Sequence, residues 1–133
     1  MRKKLIYLVL IFLCACGEYQ ERKVFDNYDD GLNEAKHLNK KILLVFDFLG
    51  NPNASAEELI YSKDIASTLD NYVIILLKVD EAGETGKLNR KLQVEKYSSN
   101  SQPTYYILSP ESKTLKGPLG YCRKEEFLEF IRK

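Results

Sequence analysis

The chain of 133 residues has few cysteines, one histidine, no long apolar run and no excess of either charge. Its cysteines are Cys14, Cys16 and Cys122, and no C-x-x-C occurs anywhere. Cys14 and Cys16 lie at the end of an N-terminal apolar stretch, so Cys122 is left alone and no internal disulfide framework is available. The single histidine, His37, has no second histidine or cysteine at metal-ligand spacing. It reads as part of a solvated helix face, and no metal site is expected. Gly83, Gly86 and Lys87 do not complete the G-x-x-x-x-G-K spacing of a phosphate-binding loop, which excludes the usual route to a nucleotide. Lysine and arginine total 20 against 19 aspartate and glutamate, an interspersed balance that argues against nucleic acid. The apolar run Leu5 to Leu13 is far shorter than the about 20 residues of a spanning helix. No repeat or low-complexity segment is present, and no cofactor is implied.

What is there begins with Arg2-Lys3-Lys4, then Leu5 to Leu13, then Cys14-Ala15-Cys16, followed at once by polar residues from Glu18. Basic, apolar and small residues in that order form a secretory signal. Leu13-Cys14-Ala15-Cys16 resembles the lipobox of bacterial lipoproteins, in which the cysteine after the small residues is lipidated and becomes the new N-terminus. The resemblance implies a signal peptide over 1–15, a lipid anchor at Cys16, and a protein held on a membrane of the bacterial cell envelope, at the periplasmic face or the cell surface. Cleavage nearby with Cys16 left free is the other reading. Two or three acyl chains, at about 0.8 kcal/mol per buried methylene, anchor a protein stably. Removing the leader takes away Arg2, Lys3 and Lys4, leaving 17 basic against 19 acidic residues and a net charge of −2. The remaining chain, 16 to 133, suits one small domain.

Residues 16–27 read as a polar tether and 28–133 as the folded unit. Leu32, Ala35 and Leu38 recur at helical spacing behind Asp29 and Asp30, acids that favour a helix N-terminus. Ile42 to Leu49 and Tyr72 to Val79 are nearly unbroken apolar runs, as expected of strands buried on both faces. Ala54 to Asp70 carries Leu59, Ile60, Ile65 and Leu69 at roughly helical intervals and is expected as the crossover between them. A third helix is expected over 86–97, strands over 104–108 and 115–121, and a last helix over 124–132 with Phe127, Leu128 and Ile131 on one face. The order α-β-α-β-α-β-β-α predicts an α/β fold with a central mixed sheet of about four strands flanked by helices.

That order, with Pro103 opening a strand, resembles the thioredoxin fold. Val45-Phe46-Asp47-Phe48-Leu49-Gly50 looks like the thioredoxin strand that ends before the C-x-x-C motif. In that frame the two cysteines should stand at Asn53 and Ala56. Val79-Asp80-Glu81, Leu92-Gln93-Val94-Glu95-Lys96-Tyr97, Ser101 to Leu108 and Gly117-Pro118-Leu119-Gly120-Tyr121 are similar to the C-terminal thioredoxin-like domain of DsbD-type thiol:disulfide interchange proteins. The resemblance covers about residues 28 to 133. It implies a redox fold whose nucleophilic and resolving cysteines are absent, since neither Asn53 nor Ala56 carries sulfur.

By the same resemblance Asp47 stands where a buried carboxylate assists proton transfer at the cysteine pair. Without a thiol it is either a satisfied structural residue or part of a ligand site. Asn53, preceded by Pro52, reads equally well as a plain helix cap. Pro103 matches the family's cis-proline, and Ser101, Gln102 and Thr104 beside it are candidates for holding an extended peptide by strand addition. A proline kept for geometry alone is the competing reading. Cys122 is flanked by Arg123 and Lys124, cations that can lower a thiol pKa, but with no resolving cysteine near it in sequence it reads as a passive free thiol, with an intermolecular disulfide as the functional alternative. The expectation is a lipid-anchored, redox-inactive protein-binding or chaperone-like module whose partner is an envelope protein or extended peptide. The alternative is a thiol-disulfide oxidoreductase acting through the single Cys122, which requires an accessible thiol near the Asn53 loop.

Overall fold

A computed structural model describes residues 22–50 and 56–132. The leader, the lipidation position Cys16 and the helix-start position Asn53 lie outside the described residues. The elements are β1 (Val24–Phe25), α1 (Tyr28–Leu38), β2 (Lys41–Asp47), α2 (Ala56–Ile60), a 3-10 turn (Lys63–Ile65), α3 (Ala66–Leu69), β3 (Tyr72–Lys78), α4 (Glu84–Tyr97), β4 (Thr104–Leu108), β5 (Thr114–Leu119) and α5 (Lys124–Arg132).

The five strands form one sheet in the order β1-β3-β2-β4-β5. β2 lies parallel to β3 from Lys41↔Tyr72 to Asp47↔Lys78, and antiparallel to β4 from Ile42↔Leu108 to Phe46↔Thr104. β2 therefore has neighbours on both sides, and all of Ile42 to Asp47 is buried. Its alternating side chains feed two cores, since successive strand residues point to opposite faces. Leu43 and Val45 pack with Ile74, Leu76, Tyr105 and Ile107 under α2, α3 and α5. Ile42, Leu44 and Phe46 pack with Val73, Ile75, Leu77 and Tyr106 under α1 and α4. This is why the apolar runs show no period of two: both faces are covered.

Local chemistry sets the element ends. The Asn27 side chain accepts from the Asp30 amide at 3.0 Å, Asp29 and Asp30 occupy the first turn, and Asn39 closes α1 in the left-handed region at φ 51°. Asparagine tolerates that conformation better than most residues, and its amide reaches the carbonyls of Ala35 and Lys36. β5 is an exposed edge strand, and it contains Pro118, which an edge tolerates because it lacks an amide to share. A register shift lies between β4 and β5, and Gly117 sits there at φ 113°, where a Cβ would come within 2.7 Å of the Tyr105 carbonyl.

Three expectations need correction. Val24 and Phe25, within the segment read as tether, add a fifth strand by pairing with Ile74 and Ile75; they are half-buried against the two cores. Their two residues are too short to show any alternation. The crossover over 54–70 is not one helix. Ser62 is buried with extended backbone at φ −66° and ψ 127°, which interrupts the helical path and restarts it as the 3-10 turn and α3. The third helix starts two residues earlier, at Glu84 rather than Gly86.

Candidate functional site

The carboxyl end of β2 places Asp47, 1% exposed, at one end of the sheet between β3 and β4. One carboxylate oxygen accepts from the Phe48 amide at 2.8 Å and the other from the Ala56 amide at 3.3 Å. Asp47 thereby ties the strand end to the first residue of α2. The segment after it is pinned from the end of β3 and the turn that follows: the Leu49 amide donates to Asp80 Oδ1 at 2.7 Å, and Lys78 Nζ donates to the Phe48 carbonyl at 3.2 Å and to Glu57. The main chain of residues 48 and 49 is held, while the Phe48 and Leu49 side chains are 39% and 51% exposed. Two apolar side chains are thus presented to solvent on an anchored backbone, at an entropic cost lower than a free loop would incur.

On the other side of this end lies the loop before β4. The Gln102–Pro103 peptide bond is cis, and Pro103 is buried. Thr104 is 1% exposed; its hydroxyl donates to the Ser101 carbonyl and lies 3.3 Å from Ser101 Oγ. Gln93, wholly buried on α4, organises the loop: Nε2 donates to the Ser101 carbonyl at 2.9 Å and to Ser99 Oγ at 3.3 Å, and Oε1 accepts from Gln102 Nε2 at 2.8 Å. Buried amides need such partners, because an unmade hydrogen bond there costs about 1–3 kcal/mol. Thr104 and the Gln102 side chain are therefore committed to the loop itself.

Gln93 and the apolar pair Phe48 and Leu49 were not singled out from sequence. The signal for Gln93 was present: Gly86, Asn89, Gln93 and Tyr97 are the buried positions of α4 at helical spacing, whereas Leu88 and Val94 are exposed. α4 turns its polar side inward because it must hold turns as well as a core. Asn89 Nδ2 donates to the Lys78 carbonyl at 3.0 Å, and a Cβ on Gly86 would stand 1.9 Å from the Glu81 carbonyl oxygen.

Ala56 is wholly buried and shares a core with Tyr105 and Cys122. Cys122 thus lies on the same face of the sheet as the start of α2. It is 9% exposed. The flanking cations are engaged elsewhere, Arg123 with Glu126 at 3.1 Å and Lys124 with Asp64 at 2.8 Å. Burial, reinforced by Glu126, pushes the Cys122 thiol up from its ordinary range, so the adjoining cations do not lower it. Burial likewise raises the Tyr105 hydroxyl, with the Cys122 and Asp47 charges adding to it. The thiol is therefore protonated at neutral pH and poorly reactive. His37 is exposed, as a solvated helix face requires.

A five-stranded mixed sheet flanked by helices, with a cis-proline opening β4 beside the carboxyl end of β2, is a thioredoxin-like fold. Solved structures agree at low sequence identity. A thioredoxin from Thermus thermophilus superposes with a TM-score of 0.62 at 17% identity, covering 87% of this chain and 86% of that one. A DsbH oxidoreductase gives 0.65 at 14% identity, covering 86% and 85%. The C-terminal domain of DsbD from Neisseria meningitidis, in its oxidised form, gives 0.60 at 14% identity, covering 83% and 97%. No protein-family model and no curated protein sequence matches the chain.

Proposed function

We propose that this chain is a membrane-anchored lipoprotein of the bacterial cell envelope whose thioredoxin-like domain performs no thiol chemistry and binds an extended segment of an envelope polypeptide. The observation that carries the reading is the contrast at one end of the sheet. The loop around Pro103 is held by three hydrogen bonds to the buried Gln93, while positions 53 and 56 carry no sulfur and the one remaining thiol, Cys122, is buried. Support for binding comes from Phe48 and Leu49, apolar side chains exposed on a pinned backbone at the same end. Extended polypeptides are held by main-chain hydrogen bonds to a strand or loop edge, with apolar contacts adding affinity. The anchor at Cys16 would keep the domain at a membrane surface on either the periplasmic or the exterior side.

Disulfide-reductase activity of the full chain, read beside an Asn53→Cys/Ala56→Cys variant, is the test. The unmodified chain is expected to be inactive and the variant active. Activity in the unmodified chain would overturn the reading. For the binding half, a reduced and carboxymethylated unfolded protein serves as probe. Binding is expected to weaken at least fivefold in Phe48→Ser/Leu49→Ser, and a chain that does not bind the probe at all is no binding module.

A further inference from the structure

The end of the sheet opposite Asp47 has a different chemistry. β2 and β3 begin there, paired at Lys41 and Tyr72, and α1, α3 and α5 end there. Among them is a cavity of about 550 Å³ lined by Lys40, Lys41, Thr68, Asn71, Tyr72 and Arg132. The acid of this region, Asp70, is already engaged. Its carboxylate pairs with Arg22 at 3.4 Å and its main-chain carbonyl accepts from Lys40 Nζ at 3.0 Å. Lys41 and Arg132 have no acidic partner among the described residues. Cations thus converge with amide and hydroxyl groups on one concave surface, a donor set suited to phosphate-type anions, while the Tyr72 hydroxyl donates to the Ile131 carbonyl. The Asp47 end, by contrast, bears Asp80, Glu81 and Glu84 around the start of α4.

Chain length says what meets this surface. The described residues begin at Arg22, beside Asp70, six residues after Cys16. Six residues reach at most about 20 Å. An anchor at Cys16 therefore holds the basic end close to the bilayer, and β2, about 20 Å long from Lys41 to Asp47, carries the Pro103 end away from it. We infer that the cavity of Lys40, Lys41 and Arg132 is a docking surface for the phosphate headgroups of the membrane, orienting the domain with its Asp47–Pro103 end outward. The inference rests on the anchor reading above. The net charge of −2 without the leader makes the attraction local, so it orients the domain rather than drawing it in as a whole.

The lipidated full chain, placed in phosphatidylcholine vesicles containing phosphatidylglycerol, is treated with an amine-acylating reagent and read by mass spectrometry. Lys40 and Lys41 are expected to react at least fivefold more slowly than in non-ionic detergent, while Lys87 on α4 reacts alike in both. In Lys41→Gln/Arg132→Gln, Lys40 in vesicles should regain its detergent reactivity. Equal reactivity of Lys40 and Lys41 in vesicles and detergent overturns the inference. Protection by inorganic phosphate in detergent, without protection in vesicles, assigns the cavity to a free anion and overturns it too. The anchor reading fails separately, if the N-terminal peptide carries no acyl chains. The unlipidated full chain is then mixed with the same vesicles. Binding weakened about 30-fold by the double neutralisation keeps the docking surface, and absence of binding removes it.

Discussion

The two sides of the Asp47 end were built by different means. On the β4 side, polar groups of Gln93, Ser99, Ser101, Gln102 and Thr104 satisfy one another around Pro103. On the α2 side, wholly buried Ala56 packs into an apolar core with Tyr105 and Cys122, held to β2 by Asp47. The first side can be broken by removing one amide; the second is mostly packing, with one carboxylate as its polar tie. The comparison teaches that the shape of the loop before Pro103 is set independently of the side chains opposite it. The hydrogen bonds that shape the loop do not depend on a thiol opposite.

Substitutions sharpen or break this contrast, and the largest effect is expected on the polar side. Gln93→Ala removes a buried side chain and three hydrogen bonds, so a loss of about 2–3 kcal/mol in urea unfolding is expected. A loss under about 0.5 kcal/mol would mean that the loop holds its shape without α4. Asp47→Ala leaves the Phe48 and Ala56 amides without their acceptor and should cost about 1–2 kcal/mol. Asp47→Asn retains one amide oxygen and should cost less; an order reversed between the two would make the carboxylate a liability rather than a tie.

Cys122→Ser puts a hydroxyl in an apolar cluster and should cost about 1 kcal/mol while leaving binding of the unfolded probe unchanged. The smallest effect is the pH dependence. The folded chain favours the protonated thiol, so this stability is full below the unfolded value of about 8.5 and declines as pH rises toward the higher folded value. Urea midpoints at pH 7.5 and 9.5 should fall slightly in the parent chain, and Cys122→Ser should remove part of that fall. Equal falls in both chains would place the titration elsewhere.

Much of the layout is legible in the amino-acid sequence. The runs at Ile42 and Tyr72, the strand at Thr104 to Leu108 and the last helix over 124–132 lie where periodicity and composition put them. Long apolar runs and amphipathic faces are local signals, and the sheet merely collects them. The break at Ser62 was invisible because burial, not residue type, imposes its extended backbone. β1 was invisible because Val24 and Phe25 form a strand only by pairing with β3. The passive Cys122 agrees with its lack of a resolving partner in sequence, whereas only the structure shows that the charges of Arg123 and Lys124 are spent on Glu126 and Asp64.

The sequence by itself determined the α/β order, the proline opening the third long strand, and the absence of a C-x-x-C pair, because each is a property of residue type along the chain. Only the tertiary structure decided that Gln93 holds the loop before Pro103, that Cys122 is shielded and that Lys40, Lys41 and Arg132 share one cavity. The Cys122 and cavity facts depend on segments tens of residues apart meeting in the fold, and the Gln93 fact on the end of α4 turning back over the loop that follows it. No local pattern encodes such a meeting, since burial, hydrogen-bond partnership and field are set by what the fold brings near.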